Sequence, residues 1–197
     1  TINRHYESSF LVEDILAAQS NYSTRSDYTQ AAAYAIAEKV DNDIAKVMTA
    51  SFTGYGAYGT ALNDNLILTV NRYLSENKAP RTDRSIVVHP KGEAELLAID
   101  KFVRYDALGT GEAIKNGKLG TIYGSTVYMS QNLVYLDTAT DEYSSLFFHK
   151  EAAAIAMQVS PRTQAQYKQE HLGWLVTVDV LYGVTTLRTG FGFTLKH

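Results

Sequence analysis

Cysteine is absent from the 197 residues. That excludes a disulfide framework, a thiolate-ligated zinc site and a thiol nucleophile. Proline is scarce, at three residues, and no proline-rich linker or low-complexity tract interrupts the chain. There is no excess of positive charge: 18 Lys and Arg stand against 21 Asp and Glu, for a net charge of -3. A dedicated nucleic-acid binder usually shows a basic face, so that class is disfavoured, although a weakly acidic protein can lie beside DNA without gripping it. No apolar run approaches the roughly 18 residues that span a bilayer, and no membrane partner is expected. What is present is ordinary for a globular chain. Hydrophobic residues make up 45% and charged residues 20%, which excludes disorder for most of the length. A chain of this size forms one or two domains and buries roughly 70% of its unfolded surface. Tyrosine is abundant, with 14 residues, and the first residue is Thr.

The chain opens extended, with Ile2, Arg4, Tyr6, Ser8, Phe10 and Val12 on one side of a period-2 pattern. A strand that starts at once, with no turn before it, predicts further residues upstream. Glu13–Gln19 reads as a short helix. The strongest helix is predicted from Tyr28 to Ala50, with Ser26 as N-cap and Asp27 near the positive dipole end. Its apolar stripe is Ala32, Ile36, Val40, Ile44, Val47 and Met48, with Lys39, Asn42, Asp43 and Lys46 on the opposite side. At 1.5 Å per residue it would reach about 35 Å, the length of a strut. Gly54, Gly56 and Gly59 end it.

A second amphipathic helix is expected over Asn63–Asn77, with Leu62, Leu66, Val70, Tyr73 and Leu74 inward and Pro80 beyond its end. Ser85–His89 reads as a buried strand, Pro90 as the start of a helix to about Phe102, and Ala107–Gly120 as a glycine-rich loop. Thr121–Ser130 reads as strand around a Gly124-Ser125 turn. Leu133–Leu136 and Ser145–His149 flank a polar turn, as in a hairpin. Glu151–Met157 is predicted as a brief alanine-rich helix, and the chain after Pro161 as mostly strand. The longest strand places Trp174, Val176, Val178, Val180 and Tyr182 on one face. The mixed order of elements favours an α+β fold over a doubly wound sheet.

Few residue patterns in the chain point to chemistry. Gly54-Tyr55-Gly56-Ala57-Tyr58-Gly59 matches the GxGxxG string of dinucleotide sites, but a long helix rather than a strand precedes it, so a helix stop and turn is the expected role. Gly111–Lys118 imitates a phosphate loop with its spacing off by one residue and Leu119 where a hydroxyl is needed. The histidines His5, His89, His149, His171 and His197 form no i, i+4 pair, which leaves no helical zinc face. His89 and His149 sit at element junctions and are expected to act as caps or core residues. His149-Lys150-Glu151 has no nucleophile motif beside it, and no GxSxG elbow occurs. Asp41 with Asp43, and Glu93 with Glu95, are two apart on helices and read as solvated faces. Asn21-Tyr22-Ser23 is a glycosylation sequon by string only. The scattered tyrosines suit partly wet contacts between proteins. No catalytic, cofactor-binding or metal-ligating residue is assigned, and no cofactor is expected.

The run Phe10-Leu11-Val12-Glu13-Asp14-Ile15, then Ala18 to Thr29, leading into the helix with Ala37-Glu38-Lys39-Val40-Asp41, resembles the approach to the long spine helix of tailed-bacteriophage major capsid proteins, especially of short-tailed phages. Arg84-Ser85-Ile86-Val87-Val88-His89-Pro90 is similar to that family's strand and proline before its axial-domain helix. Lys118 to Ser130 resembles its G-x-x-x-G-x-x-V-x-x-S segment. Phe148-His149-Lys150-Glu151-Ala152 and Asp179 to Arg188 resemble its closing pieces, with Thr189 where the family typically has proline after Leu-Arg. The matches keep their order along nearly the whole chain. The family's N-terminal arm and most of its extended loop are not found, and Thr1–Val12 resembles the returning strand of that loop.

The resemblance implies a capsid fold with a spine helix (28–50) over a peripheral sheet. Residues 1–51 with about 157–178 would form the peripheral domain, and about 52–156 with 179–197 a mixed α/β axial domain. It implies a non-enzymatic protein of the virion capsid, assembled in the bacterial host cytoplasm. Copies would form pentamers and hexamers of an icosahedral shell enclosing double-stranded DNA held by weak, non-specific contact. Scaffold, portal and decoration proteins are the further partners implied. The alternatives are the shell protein of a bacterial nanocompartment, or a small nucleotide-binding enzyme using Gly54–Gly59 or Gly109–Gly120.

Overall fold

The computed structural model describes residues 1–14, 24–99, 120–133, 135–137 and 142–197. The chain divides into two compact units. One holds Thr1–Ile44 and Ile155–Val184, and the other Ala45–Ala154 and Thr185–His197.

In the first unit, β1 (Arg4–Glu13) lies antiparallel to β9 (Gly173–Thr186), which is flanked on its other side by β8 (Ala153–Lys168). The period-2 pattern of β1 holds: Arg4, Tyr6, Ser8, Phe10 and Val12 turn inward and the intervening residues are exposed. The register sets Phe10 opposite Val176, Ser8 opposite Val178 and Tyr6 opposite Val180. Val178, Val180 and Tyr182 pack against Ala32, Ile36 and Val40 of α1 (Thr24–Ser51) to make the core of this unit. Trp174 starts the same row but stays 39% exposed, edge-on to Tyr167.

Two details of α1 correct the sequence reading. The helix begins at Thr24, so Ser26 lies inside its first turn instead of capping it. Asp43, expected on the wet face, is only 3% exposed. It stands seven residues after Ile36 and three after Val40, which is the apolar side of a 3.6-residue helix. Its carboxylate accepts a hydrogen bond from the Tyr182 hydroxyl at 2.9 Å and pairs with Arg4 at 2.6 Å and Lys39 at 3.4 Å. Burial pushes the Asp43 carboxyl up, but the Arg4 guanidinium and Tyr182 hydroxyl outweigh it, and the group sits below its ordinary range. The Tyr182 phenol is raised, first by burial and then by the Asp43 carboxylate.

The second unit is built on a sheet of order β2-β10-β7-β3-β5-β4, with β6 paired to β7. These strands are β2 (Thr53–Gly56), β3 (Arg84–Val88), β4 (Thr121–Ile122), β5 (Ser125–Met129), β6 (Tyr135–Asp137), β7 (Glu142–His149) and β10 (Gly192–Lys196). The strand β10 runs parallel to β2 and antiparallel to β7, and β3 runs parallel to β5. Two helices accompany the sheet: α2 (Asp64–Glu76), within the predicted span, and α3 (Pro90–Leu97), which ends before the expected Phe102. Their buried Ile67, Val70, Leu74 and Leu96 join Ile86, Val88, Phe147 and Leu195 in the core. The hairpin from β4 to β5 turns at Tyr123 and Gly124, both at positive φ (49° and 79°), as a tight two-residue connection requires.

The expected helix over Glu151–Met157 is replaced by a 3-10 turn, Lys150–Ala152, and the start of β8. Alanine is the best helix former, but intrinsic propensity is a weak preference, and pairing along the long strand β9 overrides it. Pro161 lies inside β8, which is tolerated because β8 is an edge strand. The expected helix Glu13–Gln19, the sequon at Asn21 and the loop Ala107–Gly120 fall outside the described residues, apart from Glu13, Asp14 and Gly120.

Replacing Asp43 with Ala leaves Arg4 and Tyr182 without their shared acceptor. The Asp43→Ala protein is expected to lose about 3 kcal/mol in urea unfolding, with Tyr182→Phe costing about 1 kcal/mol. Because the folded carboxyl is lowered, this stabilisation is present above the ordinary carboxylate value and is lost as pH falls through the folded one. The difference between wild type and Asp43→Ala should therefore shrink only in strong acid.

Candidate functional site

The glycine string after α1 holds no ligand cradle. Gly54 and Gly56 belong to β2, and a Cβ on Gly54 would stand 2.5 Å from Lys196 Cε. Gly56, at φ +91°, would meet the Lys196 carbonyl oxygen at the same distance. Their missing side chains let β10 lie against β2. The space beside Gly54 is taken by this chain's own Lys196 side chain, whose ammonium also lies 5.1 Å from the Tyr58 ring. Gly111–Lys118 lies outside the described residues.

His89 caps α3, its Nδ1 accepting the Lys91 N–H at 3.3 Å while its ring stacks on Tyr143. His149 does the same for the 3-10 turn, accepting the Glu151 N–H at 3.2 Å. The neighbours in His149-Lys150-Glu151 face different partners: Lys150 pairs with Asp83, and Glu151 lies 3.4 Å from Arg188. Both lysine and aspartate respond, with the Lys150 amine raised and the Asp83 carboxyl lowered by their mutual hydrogen bond. His5 lies 3.8 Å from Asp179, and Arg162 grips the same carboxylate through two nitrogens at 2.9 and 3.0 Å. Among the described residues no group of three or more His, Cys, Asp or Glu could hold a metal ion.

Two buried polar clusters escaped the sequence reading. In the first, Ser145 Oγ lies 2.8 Å from His197 Nε2, and His197 Nδ1 lies 3.1 Å from Glu95 Oε2. Glu95 also accepts the Leu62 N–H at 2.7 Å, which corrects its assignment to a solvated face. The order hydroxyl, imidazole, carboxylate is that of a hydrolase triad. Here it is sealed: Ser145 and His197 are 0% exposed, so no substrate reaches the hydroxyl. Gly92 makes the fit possible, since a Cβ there would be 2.9 Å from the imidazole. The cluster fastens the end of β10 to α3 and β7. Burial lowers the His197 pKa below the ordinary imidazole value, with Glu95 opposing.

The second cluster surrounds Arg84, which is 3% exposed and whose hydrogen-bond partners among the described residues are carbonyl, amide and hydroxyl oxygens. Its guanidinium donates to the carbonyls of Pro80 (2.8 Å), Ala79 (2.7 Å) and Asn71 (3.3 Å), to the Asn71 side-chain oxygen and to Ser75 Oγ (3.2 Å). Asn71 and Ser75 lie in the last turns of α2 and Ala79 and Pro80 just beyond it, at the helix end where the dipole favours a cation. Only Arg has the donors to serve them together. An Arg at the head of a strand, separated only by Ser85 from the apolar run Ile86-Val87-Val88, was the available signal.

The described residues therefore present architecture and surfaces instead of a reaction centre. Exposed aromatics and aliphatics such as Tyr34 (73%), Tyr128 (55%) and Met129 (51%) lie on both units. A scan against protein families matches residues 4–190 to the family described as phage capsid protein. A search of curated proteins finds no match. Among solved structures, a chain of Mycobacterium phage Che8 is similar at a TM-score of 0.85 and 25% identity, over 98% of this chain and 70% of that one. The capsid structure of cyanophage P-SCSP1u gives 0.78 and 18%, over 98% and 72%. A virus-like particle from Pyrococcus furiosus gives 0.68 and 11%, over 98% and 76%. The last two show the fold alone. With nearly its whole length matched, the chain belongs to the phage capsid protein family, and its place is the virion capsid.

Removing the Arg84 guanidinium while keeping its apolar stem, as in Arg84→Met, should cost about 2–4 kcal/mol in denaturant unfolding. The His197 cluster predicts acid sensitivity. A lowered folded pKa means the unfolded chain takes the proton first, so stability present near neutral pH falls as pH drops below the ordinary imidazole value. The melting midpoint should decline from about pH 7 to about pH 5 in wild type and less steeply in His197→Gln.

Proposed function

We propose that this chain is a major capsid protein of a short-tailed phage whose copies pack as rings of five and six and close into an icosahedral shell around double-stranded DNA. The observation that carries this reading is the match of 98% of the chain to a phage chain at a TM-score of 0.85, together with the family match over 4–190. The unit Thr1–Ile44 with Ile155–Val184 would be the peripheral domain, and the unit Ala45–Ala154 with Thr185–His197 the axial domain. The protein works by shape and acts without a catalytic step. Contacts of modest strength suffice, because each copy touches several others and closure makes every contact multivalent. A net charge of -3 suits a wall that contains DNA without neutralising its phosphates. Assembly would take place in the host cytoplasm, with scaffold, portal and decoration proteins as further partners.

Expression of the full-length protein followed by sedimentation and negative-stain electron microscopy tests the reading. Closed shells are expected, and nuclease-protected double-stranded DNA in particles from infected cells. A protein that stays monomeric under all assembly conditions overturns it. Shells that copurify with a cargo enzyme, and not with DNA and portal, point to a nanocompartment.

A further inference from the structure

Three parts of the second unit meet in a pocket of titratable side chains: the start of α3, the first half of β7 and the end of β10. His197, next after β10, is fully buried there, with Nε2 2.8 Å from Ser145 Oγ and Nδ1 3.1 Å from Glu95 Oε2. The same Glu95 oxygen accepts the Leu62 N–H, and the other lies 4.0 Å from the Lys91 ammonium. Lys91 also stands 5.7 Å from the Tyr143 ring, which stacks on His89 at 3.7 Å between ring centres. His89 in turn holds the first turn of α3 by accepting the Lys91 N–H at Nδ1. Tyr143 closes the pocket, since its N–H and carbonyl exchange hydrogen bonds with those of His197 at 3.0 and 3.1 Å. The groups around the His197 imidazole are therefore Glu95 and Lys91 of α3, His89 at its cap, and Tyr143 and Ser145 of β7. Among these residues Glu95 alone is anionic near neutral pH, and both its oxygens are already engaged.

We infer that this pocket is an acid-operated latch: one proton taken by His197 and a second by His89 release the start of α3 and the end of β10 from β7, while the rest of the sheet stays paired. Each proton undoes a named contact. With Nδ1–H facing the acceptor-only Glu95 carboxylate, the neutral His197 ring accepts the Ser145 hydroxyl at Nε2. Once protonated, Nε2 is a donor facing a donor, the hydroxyl must turn away, and a second cation is buried close to Lys91. The pocket has no slack to relieve this, because a Cβ at Gly92 would already lie 2.9 Å from the imidazole. For His89, a proton on Nδ1 removes the acceptor of the Lys91 N–H and sets a positive charge at the positive end of the α3 dipole. Both events drive α3 away from β7 and β10, so each makes the other easier. Burial holds the His197 pKa below the ordinary imidazole value. The opened form therefore takes the proton first, and opening is favoured as pH falls below that value. Opening is local and takes up two protons, unlike the loss of overall stability expected from His197 alone. It belongs to the single subunit and does not depend on assembly.

Amide hydrogen exchange on dispersed subunits of the full chain tests the latch, followed by NMR from about pH 7 to about pH 5 and corrected for the intrinsic pH dependence of exchange. The probes are the amides of Leu62, Lys91, Tyr143 and His197, each the donor of a hydrogen bond at the pocket. The amides of β3 and β5 are the controls. Each proton taken up raises the opening constant about tenfold per pH unit. In the wild type the probes should therefore lose protection by more than about tenfold per unit while the controls hold. The slope should fall to about tenfold or less in His197→Gln, and likewise in His89→Asn, which keeps a capping acceptor. It should vanish in the double variant. A wild-type slope no steeper than that of the single variants, or an equal loss of protection at the controls, overturns the latch. Should His197→Gln not fold, the comparison of wild type with His89→Asn decides alone.

Discussion

A carboxylate buried between a helix and a sheet fixes the first unit. Asp43 receives Arg4 from β1, Tyr182 from β9 and Lys39 from its own helix. An unpaired buried charge is costly, so the helix tolerates only the placement that brings Asp43 to both strands. Hydrophobic contacts among Ile36, Val40, Val178 and Val180 are nondirectional and would accept a slide along the strands. The polar contact forbids it. The period-2 register of β1 against β9 follows, because Arg4 must stand opposite Tyr182 for both to reach one acceptor.

The second unit uses a different device for the same purpose. Here the strand β10 is inserted between β2 and β7, and its surroundings are shaped to receive it. Gly54 and Gly56 leave room for Lys196, Gly192 lets the Phe52 ring lie where a Cβ would stand 2.3 Å from it, and Gly92 admits the His197 imidazole. Arg84 meanwhile holds the end of α2 by its carbonyls. Both units thus rely on buried polar groups that are placed against specific partners, with apolar packing around them.

Much of the architecture was legible in the sequence, and the misses have physical causes. Helices α1 and α2 and strands β1, β3 and β9 announce themselves by period, since each has one drier face, while β5 was read from its alternation although its Met129 is exposed. The brief strands β2 and β10 do not, because β10 is buried on nearly every residue and β2 is rich in glycine. The alanines of 152–156 pointed to helix, and pairing along β9 overrode that local preference. Asp43 and Glu95 were read as wet because residue type was weighed above position, and Arg84 was given no role of its own. Their partners are far away in sequence, at Tyr182, His197 and Asn71, and spacing along one helix cannot show that. The glycine string was rejected as a nucleotide site for its helical context, and the geometry adds a second reason in Lys196.

The central place of β10 also sets a timetable. Thr53 pairs with Phe193, and Arg4 pairs with Tyr182, so each unit joins an early segment of the chain to a late one. Loops this long close slowly and only when both ends are present. During synthesis neither sheet can be finished until residues past 182 and past 193 have left the ribosome. A nascent chain on a polysome therefore lacks the finished surfaces by which copies would recognise one another, and association is deferred until those late strands have emerged.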